Sequence, residues 1–237
     1  MKKIYWIMTI ILFCIIVYCS IHILMWNKDN KEIKSMNEEI LNDVITTIDN
    51  EKHIDFDKLL KKNKDTVGWI EVKGTNINYP IVQTDNNDYY LTHTFNRKKN
   101  NAGSIFMDYR NNIDDLDKNT IIYGHARLDK SMFGSLKNTI TKKWYKNTDN
   151  HIIKLTTKDK ETYWQTFSTY HIKTEDYYIT TNFDNDNEYK KFINTLIKRS
   201  VYDYNVEVNT NDYILTLSSC YRNSEKIVLH AKLIKED

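Results

Sequence analysis

One proline and five glycines in 237 residues leave little material for flexible linkers, collagen-like repeats or low-complexity tails. Cysteine is as scarce. Of three, Cys14 and Cys19 lie in an apolar N-terminal run, so Cys220 is the single thiol beyond residue 27. That excludes a disulfide-stapled scaffold. An unpaired cysteine in an exported chain is either a small buried hydrophobe or a reactive thiol. Excess charge is also missing. The net +2 is accounted for by Lys2 and Lys3, which leaves residues 28–237 formally neutral. With no basic stripe interleaved with aromatics, nucleic acid is not an expected partner. The acidic run Asp114, Asp115, Asp117 lacks the spacing of a calcium loop, and no cofactor or metal is expected.

What is present is the composition of a folded protein, 41% hydrophobic and 13% aromatic. Residues 4–26 carry no charge, long enough to cross a bilayer core as a helix, with Trp6 and Trp26 suited to its two interfaces. Lys2 and Lys3 favour a cytoplasmic N-terminus. A cleaved signal peptide fits less well, because the apolar run is too long and no small-x-small site follows it. Tyr18 is also bulky where a lipoprotein signal wants a small residue before Cys19. The expected organisation is an anchor over 1–27, a juxtamembrane helical stalk over 28–54 and a folded domain over 55–237.

Ile33, Met36, Ile40, Val44 and Ile48 recur at three- and four-residue steps. They read either as a solvated stalk or as a helix packed on the domain. A short helix over 55–64 is expected, with Asp55 as N-cap and Phe56, Leu59 and Leu60 inward. Strands are expected over 67–72, over 75–82 with Pro80 at an edge or bulge, and over 103–109, 120–123, 151–156 and 162–171. A helical turn is expected within 86–95, a small helix over 131–136, and a further β region opening at Trp144. Tyr189, Phe192, Ile193, Leu196 and Ile197 form an amphipathic stripe, so 184–200 is a helix. Many short strands with a few helices indicate a mostly-β barrel or sandwich with helical decoration.

Near the C-terminus, 212–220 and 226–233 read as two strands of a hairpin around a short polar connection. Cys220 ends the first and Lys226 begins the second, which puts a thiol beside a cation. A thiolate nucleophile needs an acid–base partner and donors for the oxyanion. Among seven histidines, His22 is in the apolar run and His53 is in a linker. His93, His151 and His171 read as surface residues, and His230 as a partly buried strand residue. His125 differs, because a buried strand, Ile121-Ile122-Tyr123, delivers it to a loop behind Gly124, a glycine that lets the backbone turn.

The segments Val67-Gly68-Trp69-Ile70, Thr75 to Gln83, Ile105 to Asn111, Ile121 to His125 and Leu215 to Cys220 resemble class B sortases, collinear and at similar intervals. The resemblance covers residue 55 to the C-terminus. It implies an eight-stranded β-barrel with N-terminal helices and a helix inserted before the penultimate strand. It also implies a membrane-anchored thiol transpeptidase on the outer face of a Gram-positive cell. Such enzymes cut an NPxTx-type C-terminal sorting signal after its Thr, hold the acyl group as a thioester and pass it to a cell-wall peptide amine. The implied partners are surface proteins bearing that signal, a peptidoglycan precursor or cross-bridge amine (a pilin lysine in some cases), and membrane lipid around residues 4–26.

Carried over, Cys220 is the nucleophile and His125 the general acid–base. The family places an arginine at the start of the last strand; here Lys226 stands there, after a shorter loop. Lysine supplies charge without a planar two-pronged donor, and Arg222 inside the loop is the alternative. Ser218, Ser219, Thr174 and Tyr178 are the expected substrate-binding residues. The departure at Lys226 keeps two other readings open: a cysteine peptidase that only hydrolyses, and a catalytically weak sortase-like binding module.

Overall fold

The computed structural model describes residues 2–48, 51–173, 175–220 and 225–237. A single helix, α1 (Lys2–Val44), runs from the apolar segment into the domain. Its first part is exposed throughout, and it is long and apolar enough to cross a membrane. Its last three turns are not a solvated stalk. Ile33, Met36, Ile40 and Val44 are buried in the main core, and Lys62 Nζ meets the Asp43 carboxylate at 3.0 Å. The helical spacing ends at Val44. Residues of the expected fifth position instead form a small antiparallel pair, β1 (Ile45–Ile48) with β2 (Glu51–Ile54). The short helix α2 (Phe56–Lys62) follows, with the Asp55 carboxylate accepting from the Lys58 N–H at 3.0 Å as its N-cap.

The next eight strands are β3 (Thr66–Val72), β4 (Ile77–Val82), β5 (Phe106–Met107), β6 (Asn119–His125), β7 (Ile152–Thr156), β8 (Glu161–Lys173), β9 (Ile214–Cys220) and β10 (Glu225–Glu236). They close into a barrel in the order β10-β8-β7-β3-β4-β5-β6-β9, the eight-stranded architecture expected. Two pairings are parallel, β4 with β5 and β6 with β9; the rest are antiparallel. The β9–β10 hairpin is present, with Ser218 opposite Val228. Pro80 pairs toward β3 opposite Trp69, while β4 meets β5 only at Val82 among the described residues. The missing N–H therefore falls where the strand is an edge.

Two expected strands change. The strand over 103–109 shrinks to Phe106–Met107 because the chain on either side turns back on itself. Trp144 lies not in a β region but on α3 (Lys142–Lys146), capped by Thr141, where its indole N–H donates to the Lys73 carbonyl at 2.9 Å. The amphipathic helix is α4 (Asp186–Arg199), with Asn185 accepting from the Glu188 N–H at 3.1 Å. Tyr189, Phe192, Ile193 and Leu196 pack on Phe167, Tyr170, Ile172, Ile214 and Val228. Ile197, at the margin of that stripe, stays 40% exposed.

Five of the polar side chains between β8, β9, β6 and the 177–180 segment are joined into one directional chain. The Tyr177 hydroxyl donates to Tyr170 at 2.8 Å, and the Tyr170 hydroxyl lies 2.8 Å from His230 Nε2. On the other side, His230 Nδ1 lies 2.8 Å from Thr216 Oγ1, which donates to Asn119 Oδ1 at 2.6 Å. Because the threonine proton is given to Asn119, Nδ1 carries the imidazole hydrogen and Nε2 accepts from Tyr170. His230 is thus a fully buried neutral imidazole, not the partly buried strand residue expected. His151 also differs from its expected surface position, since it is buried with Nε2 2.9 Å from the Tyr145 carbonyl.

Burial pushes the His230 imidazole down to about 3, far below its ordinary value. The unfolded chain therefore takes up a proton here below about pH 6.5 that the folded chain refuses, and stability falls as pH drops through that window. One such group contributes a slope of about 1.4 kcal/mol per pH unit. His230→Gln keeps a donor and an acceptor without titrating. Urea unfolding at pH 7, 5.5 and 4.5 will show a flatter pH dependence in His230→Gln than in the unsubstituted chain. Parallel profiles would contradict a neutral His230.

Candidate active site

The site is built by the parallel pairing of β6 with β9. Asn119 pairs with Ile214, each following residue pairs in step, and His125 ends directly opposite Cys220. Neighbouring strands lie about 4.8 Å apart. Two residues far apart in sequence thus meet at one end of the sheet. The antiparallel partner β10 begins at the same end, with Lys226 as its second residue.

His125 is still within β6, not on a loop beyond it. Gly124 does not serve a turn. A Cβ there would come within 2.4 Å of Ile105 Cδ1 and 2.8 Å of Phe133 Cγ, so the glycine lets two core side chains close against the strand. The His125 imidazole is half-buried, and its Nε2 lies 2.7 Å from the Leu91 carbonyl oxygen. A carbonyl can only accept, so Nε2 carries a hydrogen and Nδ1 is the nitrogen left for chemistry. Leu91 is presented by a 3-10 turn, Tyr89–Leu91. That turn is held by the Ser104 N–H donating to the Tyr90 carbonyl at 2.9 Å. Gly103, at φ +62°, allows this return, because a Cβ there would meet the Tyr90 and Leu91 carbonyls at 2.5 and 2.9 Å.

Lys226 is partly buried, with Nζ 5.7 Å from the centroid of the Tyr178 ring. Tyr178 is itself fully buried, and its hydroxyl meets Ser218 Oγ at 2.9 Å. Ser219 is turned toward β10, where its Oγ accepts from the Ile227 N–H at 2.8 Å and contacts the Ile227 carbonyl at 3.2 Å. Both serine hydroxyls, expected to face a ligand, are buried and committed to the fold. Arg222 and Thr174 lie outside the described residues.

Several residues that matter here went unnoticed in the sequence. The carbonyls of Tyr178 and Thr180 accept from Asn119 Nδ2 at 3.0 and 2.9 Å. The intervening Ile179 carbonyl accepts from Arg110 Nη2 at 2.9 Å. Three successive carbonyls of the segment bearing Tyr178 are therefore tied to the barrel. Arg110 is oriented by Asp108, whose fully buried carboxylate accepts from Arg110 Nε and Nη2 at 2.8 Å each, Tyr123 at 2.9 Å and Asn87 at 3.0 Å. Burial opposes that charge, but the arginine and the other donors outweigh it and hold the Asp108 carboxyl below its ordinary value. Asp108 and Arg110 are two residues apart in sequence, whereas the carbonyl that Arg110 reaches lies 69 residues on.

The arrangement joins a strand-end cysteine, an imidazole with a fixed tautomer and a cation. This is the equipment for acyl transfer through a thiol. Residues 70–234 match the family model described as the sortase domain. A sortase B of Staphylococcus aureus is 40% identical over 76% of the chain and 75% of its own length. The chain belongs to the class B sortases. A sortase B of Listeria monocytogenes is 38% identical over 80% of the chain and 78% of its own length. Among solved structures, Bacillus anthracis sortase B in complex with AAEK1 superposes with a TM-score of 0.79 at 34% identity, over 88% of this chain and 99% of that one. A Staphylococcus aureus sortase B–substrate complex does so at 0.76 and 33%, over 90% and 99%. This sortase is accordingly a cysteine transpeptidase.

Gly124→Ala will force Ile105 or Phe133 to move and cost about 1–3 kcal/mol. Because His125 is the next residue, transpeptidation will fall further than stability predicts. Urea unfolding and turnover measured on the same protein check this, and unaltered turnover would rule out the tight packing behind the imidazole.

Proposed function

We propose that this sortase, anchored by residues 4–26 with its barrel on the outer face of the membrane, cleaves an NPxTx-type C-terminal sorting signal after its Thr. The acyl group then passes through a thioester on Cys220 to an amine of a peptidoglycan precursor or cross-bridge. The observation that carries this reading is the register of β6 with β9, which sets His125 opposite Cys220. Two relatives support the substrate classes: a sortase B bound to its substrate and a sortase B complexed with triglycine, a peptide with a free N-terminal amine.

The steps follow from the residues. The Cys220 thiolate attacks the Thr carbonyl carbon, and the oxyanion that forms is stabilised by the Lys226 ammonium. As the C–N bond breaks, His125 gives a proton to the departing amine, leaving a thioester. With Nε2 held by Leu91, that proton is carried on Nδ1. An incoming amine attacks the thioester and gives its proton to Nδ1, and the thiolate leaves with the new amide formed. Tyr178, seated under Lys226, and Ser218, bonded to Tyr178, act in this reading as the wall that positions the cation. Ser219 fixes β10 at the point where Lys226 enters the site. Arg222 is the second candidate donor.

The test is turnover of an NPxTx peptide by the purified chain, with and without triglycine. Cys220→Ala will abolish cleavage, and triglycine will divert the product from the free acid to the amide. Lys226→Met will lower kcat by about 10²–10³, the usual value of an oxyanion donor, while Lys226→Arg will retain activity. Unchanged cleavage by Cys220→Ala would sink the mechanism. Hydrolysis that triglycine does not divert would leave a peptidase instead.

A further inference from the structure

Leu128 is 82% exposed. No large apolar side chain of the apolar segment reaches that value; the highest there is Trp6 at 71%. Leu128 is not a residue of a slack loop. The Lys130 N–H donates to the Arg127 carbonyl at 3.1 Å, and Ser131 donates to Asp129 Oδ1 through N at 3.1 Å and Oγ at 2.6 Å. Ala126 bridges Met132, which is buried with its N–H on the Tyr79 hydroxyl at 3.1 Å. Lys130 and Met132 both accept positive φ, 64° and 50°. This tight turn buries Met132 and holds the Leu128 side chain out at its tip.

The position of the loop supplies a reason. Residues 2–28 of α1 are exposed, Asp29 and Asn30 are the first partly covered, and Ile33 is 1% exposed. The Arg127 guanidinium donates to Asn30 Oδ1. The barrel therefore meets the helix first through this loop. Asn30 lies four residues beyond Trp26, about 6 Å along the helix axis. The headgroup layer on each side of a bilayer is of similar thickness, about 5–8 Å.

We infer that the Arg127–Ser131 loop rests on the membrane surface and inserts Leu128 among the lipid headgroups and upper acyl chains. This rests on the reading of residues 4–26 as a membrane span. Local charge is secondary, since Lys28, Lys31, Lys34, Arg127 and Lys130 are offset in part by Asp29, Glu32 and Asp129. The contact is apolar, made by a preformed turn whose approach to the bilayer is set by α1. His125 lies two residues before Arg127, so the acid–base residue is held close to the lipid surface. The site then faces substrates that emerge from the bilayer: a peptide whose C-terminal apolar run is still embedded, and an amine borne on a lipid-linked precursor.

The test uses the full chain reconstituted in phosphatidylcholine–phosphatidylglycerol vesicles, with Cys14→Ser, Cys19→Ser and Cys220→Ala as background. Single nitroxide labels are placed at Leu128→Cys, Lys130→Cys, Phe13→Cys and Lys158→Cys. Lys158 is the distal reference, because it pairs with Asp57 on α2, beside the far end of α1. Collision rates with oxygen and a water-soluble nickel chelate are read by electron paramagnetic resonance. The label at 128 will show a several-fold lower nickel-to-oxygen ratio than the label at 158, and the label at 130 an intermediate one. A label at 128 as water-accessible as that at 158, with 13 in lipid, overturns the inference and leaves the anchor intact. A label at 13 in water overturns the membrane reading itself.

Discussion

Everything at the site depends on one pairing, the parallel ladder between β6 and β9. It closes the barrel and aligns the two strand ends, so the same hydrogen bonds that finish the fold also set His125 opposite Cys220. Parallel neighbours need a long crossover. Here the intervening chain carries β7, β8 and α4 before returning. Both faces of β6 are then covered, which is why Asn119 to Gly124 are all buried. A strand in that position cannot slip by one residue without turning Asn119 away from its three partners and the apolar residues out of register.

The same covering explains why so many polar side chains near the site are spent on the fold. A buried hydroxyl or amide without a partner costs about 1–3 kcal/mol, and the region between β9, β10 and the 177–180 segment is rich in such groups. Thr216, His230, Tyr170 and Tyr177 satisfy one another in sequence, and Asn119 extends the chain to the carbonyls of Tyr178 and Thr180. Arg110 fastens the carbonyl between them. The clamp gives Tyr178 a fixed seat, and the tyrosine gives Lys226 a surface to lie across. A lysine has a longer list of rotamers to lose than a planar guanidinium with two fixed prongs. An aromatic face beneath its ammonium offsets part of that disadvantage.

Local pattern made much of this legible. The stripe of α4, the Asp55 cap, the edge position of Pro80 and the hairpin ending at Cys220 all follow from neighbours within a few residues. The eight-stranded closure came from collinear motifs shared with a known family, since periodicity alone did not choose between barrel and sandwich. What stayed hidden were long-range partnerships. No feature around Gly124 announces that Phe133 will press on it, so the residue read as a turn. Ser218 and Ser219 read as ligand-facing because they flank a cysteine, yet a two-sided strand buries both hydroxyls. The Leu91 carbonyl has no sequence signature at all, although it decides which imidazole nitrogen is free. Helical spacing running past Val44 misled in the other direction, because Ile48 continues the pattern on a chain that has already turned into β1.

The continuity of α1 links these local arrangements to the apolar segment. A flexible stalk would let the barrel tumble and leave the direction of its open end unspecified. Four buried residues from Ile33 to Val44 and the ion pairs of Asp43 remove that freedom. Because the helix also touches Arg127, α1 and the His125 end of β6 are separated by only two residues of chain. An error in the seating of the helix would therefore reach the loop that leaves β6 through Arg127. With residues 4–26 in a membrane, as proposed, rigidity at that junction favours substrates delivered at one height above the bilayer. It does so through the fold, without any further contact to the peptide.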